Sequence, residues 1–154
     1  MIILLDIDGV LVTTPPWRIA EILADGFMKF NDKAATNLQR LLMETKADIV
    51  LTTTHRINHS IDTWKDIFRQ RGIFTNSVSK LNDKNSIQTM LDRATEIKEW
   101  FDNGGAKSNF VIIDDDLSLN GLPTIIKNKC VITKPLIGLD EEVTIKALKI
   151  LQTN

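Results

Sequence analysis

The stretch "MIILLDIDGVLV" (residues 1–12) decides the fold. An apolar run leads into two acids one residue apart, then a glycine, then more apolar residues. Read as a strand, the alternation of side chains puts Asp6 and Asp8 on one side and turns Ile7 away. Two carboxylates so placed repel unless a cation or a shared proton relieves them. An Asp-Gly turn capped by its own side chains would also explain the pattern. The rest of the chain has to discriminate between a turn and an acid pair built for a metal.

Three further runs are rich in β-branched and aliphatic residues: 49–51, 110–113 and 131–133, besides 2–7 itself. Each is apolar throughout, the pattern of a strand covered on both faces. A fifth, very short strand is expected at 73–74. Helical patterns lie between them. Asp32 is expected to cap a helix burying Ala35, Leu38, Leu41 and Leu42. Ser60 starts one with Ile61, Trp64, Ile67 and Phe68 inward, ended by Gly72. Asp92 caps a third with Ala94, Ile97 and Phe101, ended by Asn103, Gly104 and Gly105. Asp140 begins the last, with Val143, Ala147, Leu148 and Leu151 inward. Strands alternating with helices predict an α/β fold: one Rossmann-like, three-layer domain over residues 1–154 with a central parallel sheet.

The composition fits that expectation. A chain of 154 residues with 43% hydrophobic and 25% charged residues can bury a proper core. Its net charge of −1 gives no global attraction to nucleic acid or to an anionic membrane. The single cysteine, Cys130, excludes an internal disulfide and points to a reducing, cytoplasmic setting. Its apolar surroundings suggest a buried, inert thiol. No basic lead-in precedes the first apolar run, and no apolar stretch reaches membrane-spanning length, so no membrane association is expected.

In an open α/β sheet, sites form at the carboxyl ends of the strands. Three polar clusters fall there: Asp6 and Asp8, then "LTTTHR" (residues 51–56), then "IIDDD" (residues 112–116). An isolated acidic run would be read as a solvated loop. Five acids at one crevice are costly without a cation, and an all-oxygen donor set suits Mg²⁺. His55 and His59 lack the glutamate and third ligand of a zinc-hydrolase helix. Thr52 to Thr54 offer hydroxyls and N–H groups as a phosphate cradle, assisted by Arg56, although ordinary β-propensity explains them too. Arg93, at a helix start, is either a surface arginine or a fixed cation beside the acids.

"DIDGVL" (residues 6–11) resembles the first motif of the haloacid dehalogenase-like (HAD) superfamily, mostly phosphatases and phosphotransferases. The strand ending in Thr52 resembles its second motif and "VIIDDD" (residues 111–116) its fourth. More narrowly, "TTTHR", "RATEIKEW" and "IIDDDLSLNGLP" resemble the small HAD domain of Swiss-army-knife RNA-repair proteins. The resemblance implies that Asp6 is a nucleophile forming an aspartyl-phosphate and Asp8 the general acid and base. It implies Mg²⁺ bound by Asp6, Asp114, Asp115 and the backbone carbonyl of Asp8. Thr52 or Thr53 would bind the phosphoryl group; the triple threonine leaves the register open. The third motif usually supplies a lysine. Arg93 fills that role by position, with Lys80, Lys84 and Lys98 as alternatives.

Residues 11–49 leave room for a flap and a helix but not a full cap domain, so an essentially capless site is expected. Such a site suits phosphorylated substrates as large as RNA or DNA ends. A basic rim of Arg18, His55, Arg56 and Arg93 would favour them. The rival readings are a small-molecule phosphatase and a non-catalytic phosphate- or RNA-binding module; the intact Asp6/Asp8 pair weighs against the latter. A response-regulator receiver would need adjacent acids after the first strand, and a topoisomerase-primase fold an earlier strand ending in glutamate; neither matches.

Overall fold

The computed structural model describes residues 1–83 and 91–153. Five parallel strands form one sheet in the order β3-β2-β1-β4-β5. They are β1 (Ile2–Leu5), β2 (Asp48–Leu51), β3 (Val78–Lys80), β4 (Phe110–Asp114) and β5 (Cys130–Ile132). The first strand lies at the centre, with Leu5 beside Leu51 on one flank and Ile113 on the other. A central strand needs apolar residues on both faces, which accounts for the unbroken run at the amino terminus.

Alternation sends successive residues into two separate cores. Ile3, Leu5, Ile49, Leu51, Val111 and Ile113 pack against α1 (Asp32–Thr45), α2 (Ile61–Gln70) and α5 (Glu141–Gln152). Leu4, Val50, Phe110 and Ile112 pack against α3 (Arg93–Asp102) and the short α4 (Thr124–Lys127). The result is the expected three-layer α/β architecture. Among the described residues, no helix is long and apolar enough to cross a membrane. Cys130 is half-buried, and burial pushes its thiol pKa up to about 12, so it is inert at neutral pH.

Ser60, Asp92 and Asp140 cap α2, α3 and α5 through their side chains. At α1 the cap is Asn31 rather than Asp32: its Oδ1 accepts from the N–H of Ala34 at 3.0 Å. Asn31 also donates through Nδ2 to Thr13 Oγ1 at 3.2 Å, which a carboxylate could not do. Ile61 is exposed, against the inward position expected of it, because side chains of a first helical turn lean beyond the helix end. The fifth strand is also displaced. Gly72, at φ +75°, ends α2, and the N–H of Ile73 returns to the carbonyl of Phe68, so residues 73–74 belong to the helix terminus. The edge strand forms instead at Val78–Lys80, where Val78 pairs with Ile49.

Between β1 and α1 the chain has no helix. Its flap is closed by an antiparallel bridge between Ile22 and Met28, in keeping with the capless expectation. Arg71 anchors this flap: Nη1 pairs with Asp25 at 2.6 Å, Nη2 donates to the Phe27 carbonyl, and Nε to that of Met28.

Candidate active site

The acidic turn begins where β1 leaves the ladder. The N–H of Asp6 still reaches the carbonyl of Ile113 at 3.1 Å, but the next residues wind around Ile7, whose carbonyl accepts from Val10, Leu11 and Val12. Ile7 is in the core, as alternation requires. Gly9 turns the chain at φ +77°, and a Cβ there would stand 2.2 Å from Asp115 Oδ2. Glycine is thus needed twice, for the backbone conformation and for the close approach of Asp115.

The two acids of this turn separate. Asp6 is buried, and its Oδ1 accepts from the N–H of Ile7 at 2.8 Å. Asp8 is exposed and its Oδ2 lies 2.9 Å from His55 Nε2. That hydrogen bond holds the His55 pKa above its ordinary value of 6.5, against an opposing effect of burial. An edge-on contact with Phe27 of the flap, 5.6 Å between centroids, fixes the other side of the imidazole.

Asp6 instead joins the acids at the end of β4. One oxygen each from Asp6, Asp114 and Asp115 lies within 4.8 Å of the others. Burial, and after it the charge of Asp114, raises the pKa of Asp6 well above 3.8; the same two causes raise that of Asp115. Desolvated like charges favour a proton or a cation, and the all-oxygen donor set fits a hard divalent ion. The Asp8 side chain is not in this group.

Arg93, at the first turn of α3, supplies a protein cation. Its Nη1 makes a short contact with Asp114 Oδ2, lies 3.7 Å from Asp6 Oδ2, and donates to Thr52 Oγ1 at 3.4 Å. Burial alone would lower its pKa, but the charges of Asp114 and Asp6 raise it, so it stays charged. Among the described residues, neither Lys80 nor Lys98 pairs with these carboxylates; Lys98 pairs with Asp102 at 2.7 Å. Lys84 lies outside the described residues.

The threonines after β2 divide their tasks. Thr52 is buried with its hydroxyl at Arg93, whereas the Thr53 hydroxyl accepts from the N–H of His55 at 3.2 Å and caps the following turn. The structure therefore gathers Asp6, Thr52, Arg93, Asp114 and Asp115 at one sheet edge, with Asp8 and Thr53 beside them. Arg56 departs from the expected role. It is completely buried and aims its guanidinium at backbone and at Glu96, so it can be part of neither a phosphate contact nor a basic rim. Proximity in sequence does not tell an inward arginine from an outward one. The Arg56–Glu96 pair, spanning 40 residues, left no local signal.

The model of the HAD domain in Swiss Army Knife RNA repair proteins matches residues 2–144. A search of curated proteins found no match. The family match covers the acidic turn, the threonine run, Arg93 and the acids after β4, the elements that converge in space. The chain belongs to the family of HAD domains found in Swiss Army Knife RNA repair proteins.

Proposed function

We propose that the protein is a Mg²⁺-dependent phosphomonoesterase acting through an aspartyl-phosphate on Asp6, with phosphorylated nucleic-acid ends as substrates. The observation that carries this reading is the convergence of Asp6, Asp114 and Asp115 within 4.8 Å, with Arg93 against two of them. These three carboxylates, with the backbone carbonyl of Asp8, are the residues that would hold Mg²⁺. Bound there, the ion supplies positive charge that screens a carboxylate nucleophile from a phosphate dianion.

The chain's own groups then divide the reaction. Thr52 and Arg93 bind the phosphoryl oxygens. Asp6 attacks phosphorus as Asp8 donates a proton to the leaving oxygen, and the bond to the leaving alcohol breaks. Water next attacks the phosphorus of the acyl-phosphate while Asp8 takes its proton. The bond to Asp6 breaks, inorganic phosphate leaves and the free carboxylate is restored. His55 holds the Asp8 side chain at the edge of the site. Positioning and charge neutralisation supply most of the rate.

The RNA-repair setting of the family supports a polynucleotide end as substrate, and the helix-free flap leaves access to one. The single cysteine supports a reducing, cytoplasmic compartment. The test is phosphate release, with and without Mg²⁺, from 3′- and 5′-phosphorylated oligonucleotides beside mononucleotides. Higher kcat/KM for oligonucleotides supports the proposal. Preference for mononucleotides would leave a general phosphatase, and no turnover with phosphate still bound would leave a binding module.

A further inference from the structure

Arg56 has no exposed surface, and among the described residues its Nε finds no hydrogen-bond partner. Nη1 donates to two consecutive carbonyls, those of Thr52 at 2.9 Å and Thr53 at 3.1 Å, while Nη2 meets Glu96 Oε2 at 2.5 Å. Glu96 is buried as well. Burying such a pair is expensive, and an apolar pair of similar volume often stabilises a fold as well or better. Its role is therefore to be sought in what it orients.

Both carbonyls converge on one guanidinium nitrogen, which fixes the two peptide planes. In a planar trans peptide the N–H points opposite to the carbonyl, and the chain contains no cis bond among the described residues. The N–H groups of Thr53 and Thr54 consequently point away from Arg56. Among the described residues, neither has a hydrogen-bond acceptor. Two adjacent unused donors beside the Thr52 hydroxyl form a cradle for an anion. At the other end of the pair, Glu96 lies three residues after Arg93, on the same face of α3. Arg93 in turn reaches Thr52, Asp6 and Asp114.

We propose that Arg56 and Glu96 are a positioning pair for phosphoryl binding, locking the Thr52–Thr54 backbone donors and the Arg93 guanidinium into one register without touching substrate. This inference rests on the phosphatase reading of the site. Glu96→Gln keeps the shape and removes the charge; Arg56→Lys keeps the charge and loses the planar fork that holds the two carbonyls on one nitrogen and Glu96 on the other.

The experiment uses the full chain with Mg²⁺ and p-nitrophenyl phosphate, and inorganic phosphate as the competing probe. Phosphate is also titrated while the Thr53 and Thr54 amide resonances are followed. Both amides of the wild type should shift as phosphate binds. In Glu96→Gln and Arg56→Lys, KM and the phosphate Ki should rise about ten- to a hundredfold, with the Mg²⁺-induced rise in melting temperature unchanged. Lower melting temperatures with wild-type KM, Ki and amide shifts would make the pair merely structural and overturn the proposal. If neither variant folds, wild-type amides that stay still while phosphate saturates the site overturn it equally. A wild type that neither binds nor releases phosphate would instead remove the phosphatase reading itself, and this inference with it.

Discussion

Replacing Asp115 by Asn should stabilise the metal-free protein and weaken its response to Mg²⁺. The three carboxylates offer oxygens within 4.8 Å of one another. Arg93 contacts Asp6 and Asp114, whereas among the described residues Asp115 has no cation. At that separation two full charges repel by roughly 3.5 kcal/mol with an effective dielectric constant near 20. Partial exposure of Asp115 and proton uptake by the cluster reduce this to about 1–2 kcal/mol. For a domain of this size the melting temperature should rise by about 2–8 °C in EDTA. Added at about a hundred times its dissociation constant, Mg²⁺ should stabilise the wild type by about 2.7 kcal/mol and Asp115→Asn by far less. The sign of the pH dependence follows from the raised pKa values of Asp6 and Asp115. The stability they contribute is fully present below the unfolded value near 3.8 and is lost as pH rises through their higher folded values. Asp115→Asn should flatten that loss. Asp114→Asn is not equivalent, because it leaves Arg93 buried beside fewer charges, and it should melt lower than Asp115→Asn. The assay is calorimetry of each protein in EDTA and in Mg²⁺. An Asp115→Asn protein that melts below wild type in EDTA, yet gains as much from Mg²⁺, would refute the placement of the metal.

Asp8→Asn should slow turnover by about 10²–10⁴-fold, the usual contribution of a general acid, and accumulate labelled phosphoenzyme with the activated leaving group of p-nitrophenyl phosphate. Gly9→Ala should cost about 1–3 kcal/mol in unfolding free energy, since alanine is strained at φ +77° and its Cβ would collide with Asp115; a wild-type melting temperature would contradict the packing. With Arg56 in the interior, Arg18 and Arg93 are the arginines left from the expected rim. Oligonucleotide binding to Asp6→Asn should then follow a log–log salt slope of roughly −1.4 for two phosphate contacts on a single strand. A much steeper slope would reveal a basic surface beyond these two arginines.

The sheet was legible where burial on both faces leaves an unbroken apolar run, as in β1, β2, β4 and β5. The edge strand β3 was not, because Val78, Ser79 and Lys80 include a single apolar residue and its pairing with β2 is a tertiary fact. Helix caps were readable at Ser60, Asp92 and Asp140, but adjacent Asn31 and Asp32 are equally good caps until the contact with Thr13 separates them. The acids could be placed at one strand edge from topology alone. Their partition could not: that Asp6 turns in towards Asp114 while Asp8 turns out to His55 depends on the wrap of residues 7–12. The triple threonine likewise gives no local sign that the Thr52 hydroxyl meets Arg93 while that of Thr53 caps the following turn.

Trapping the phosphoenzyme tests the proposed covalent role of Asp6 most directly. Wild type, Asp8→Asn and Asp6→Asn are mixed with a labelled phosphomonoester and Mg²⁺, quenched in acid, and the labelled peptide is sequenced. Label should appear on Asp6 in the first two and not in Asp6→Asn, which should lose turnover with its fold intact. Turnover by Asp6→Asn at a rate comparable to wild type, or label on any other residue, would contradict it.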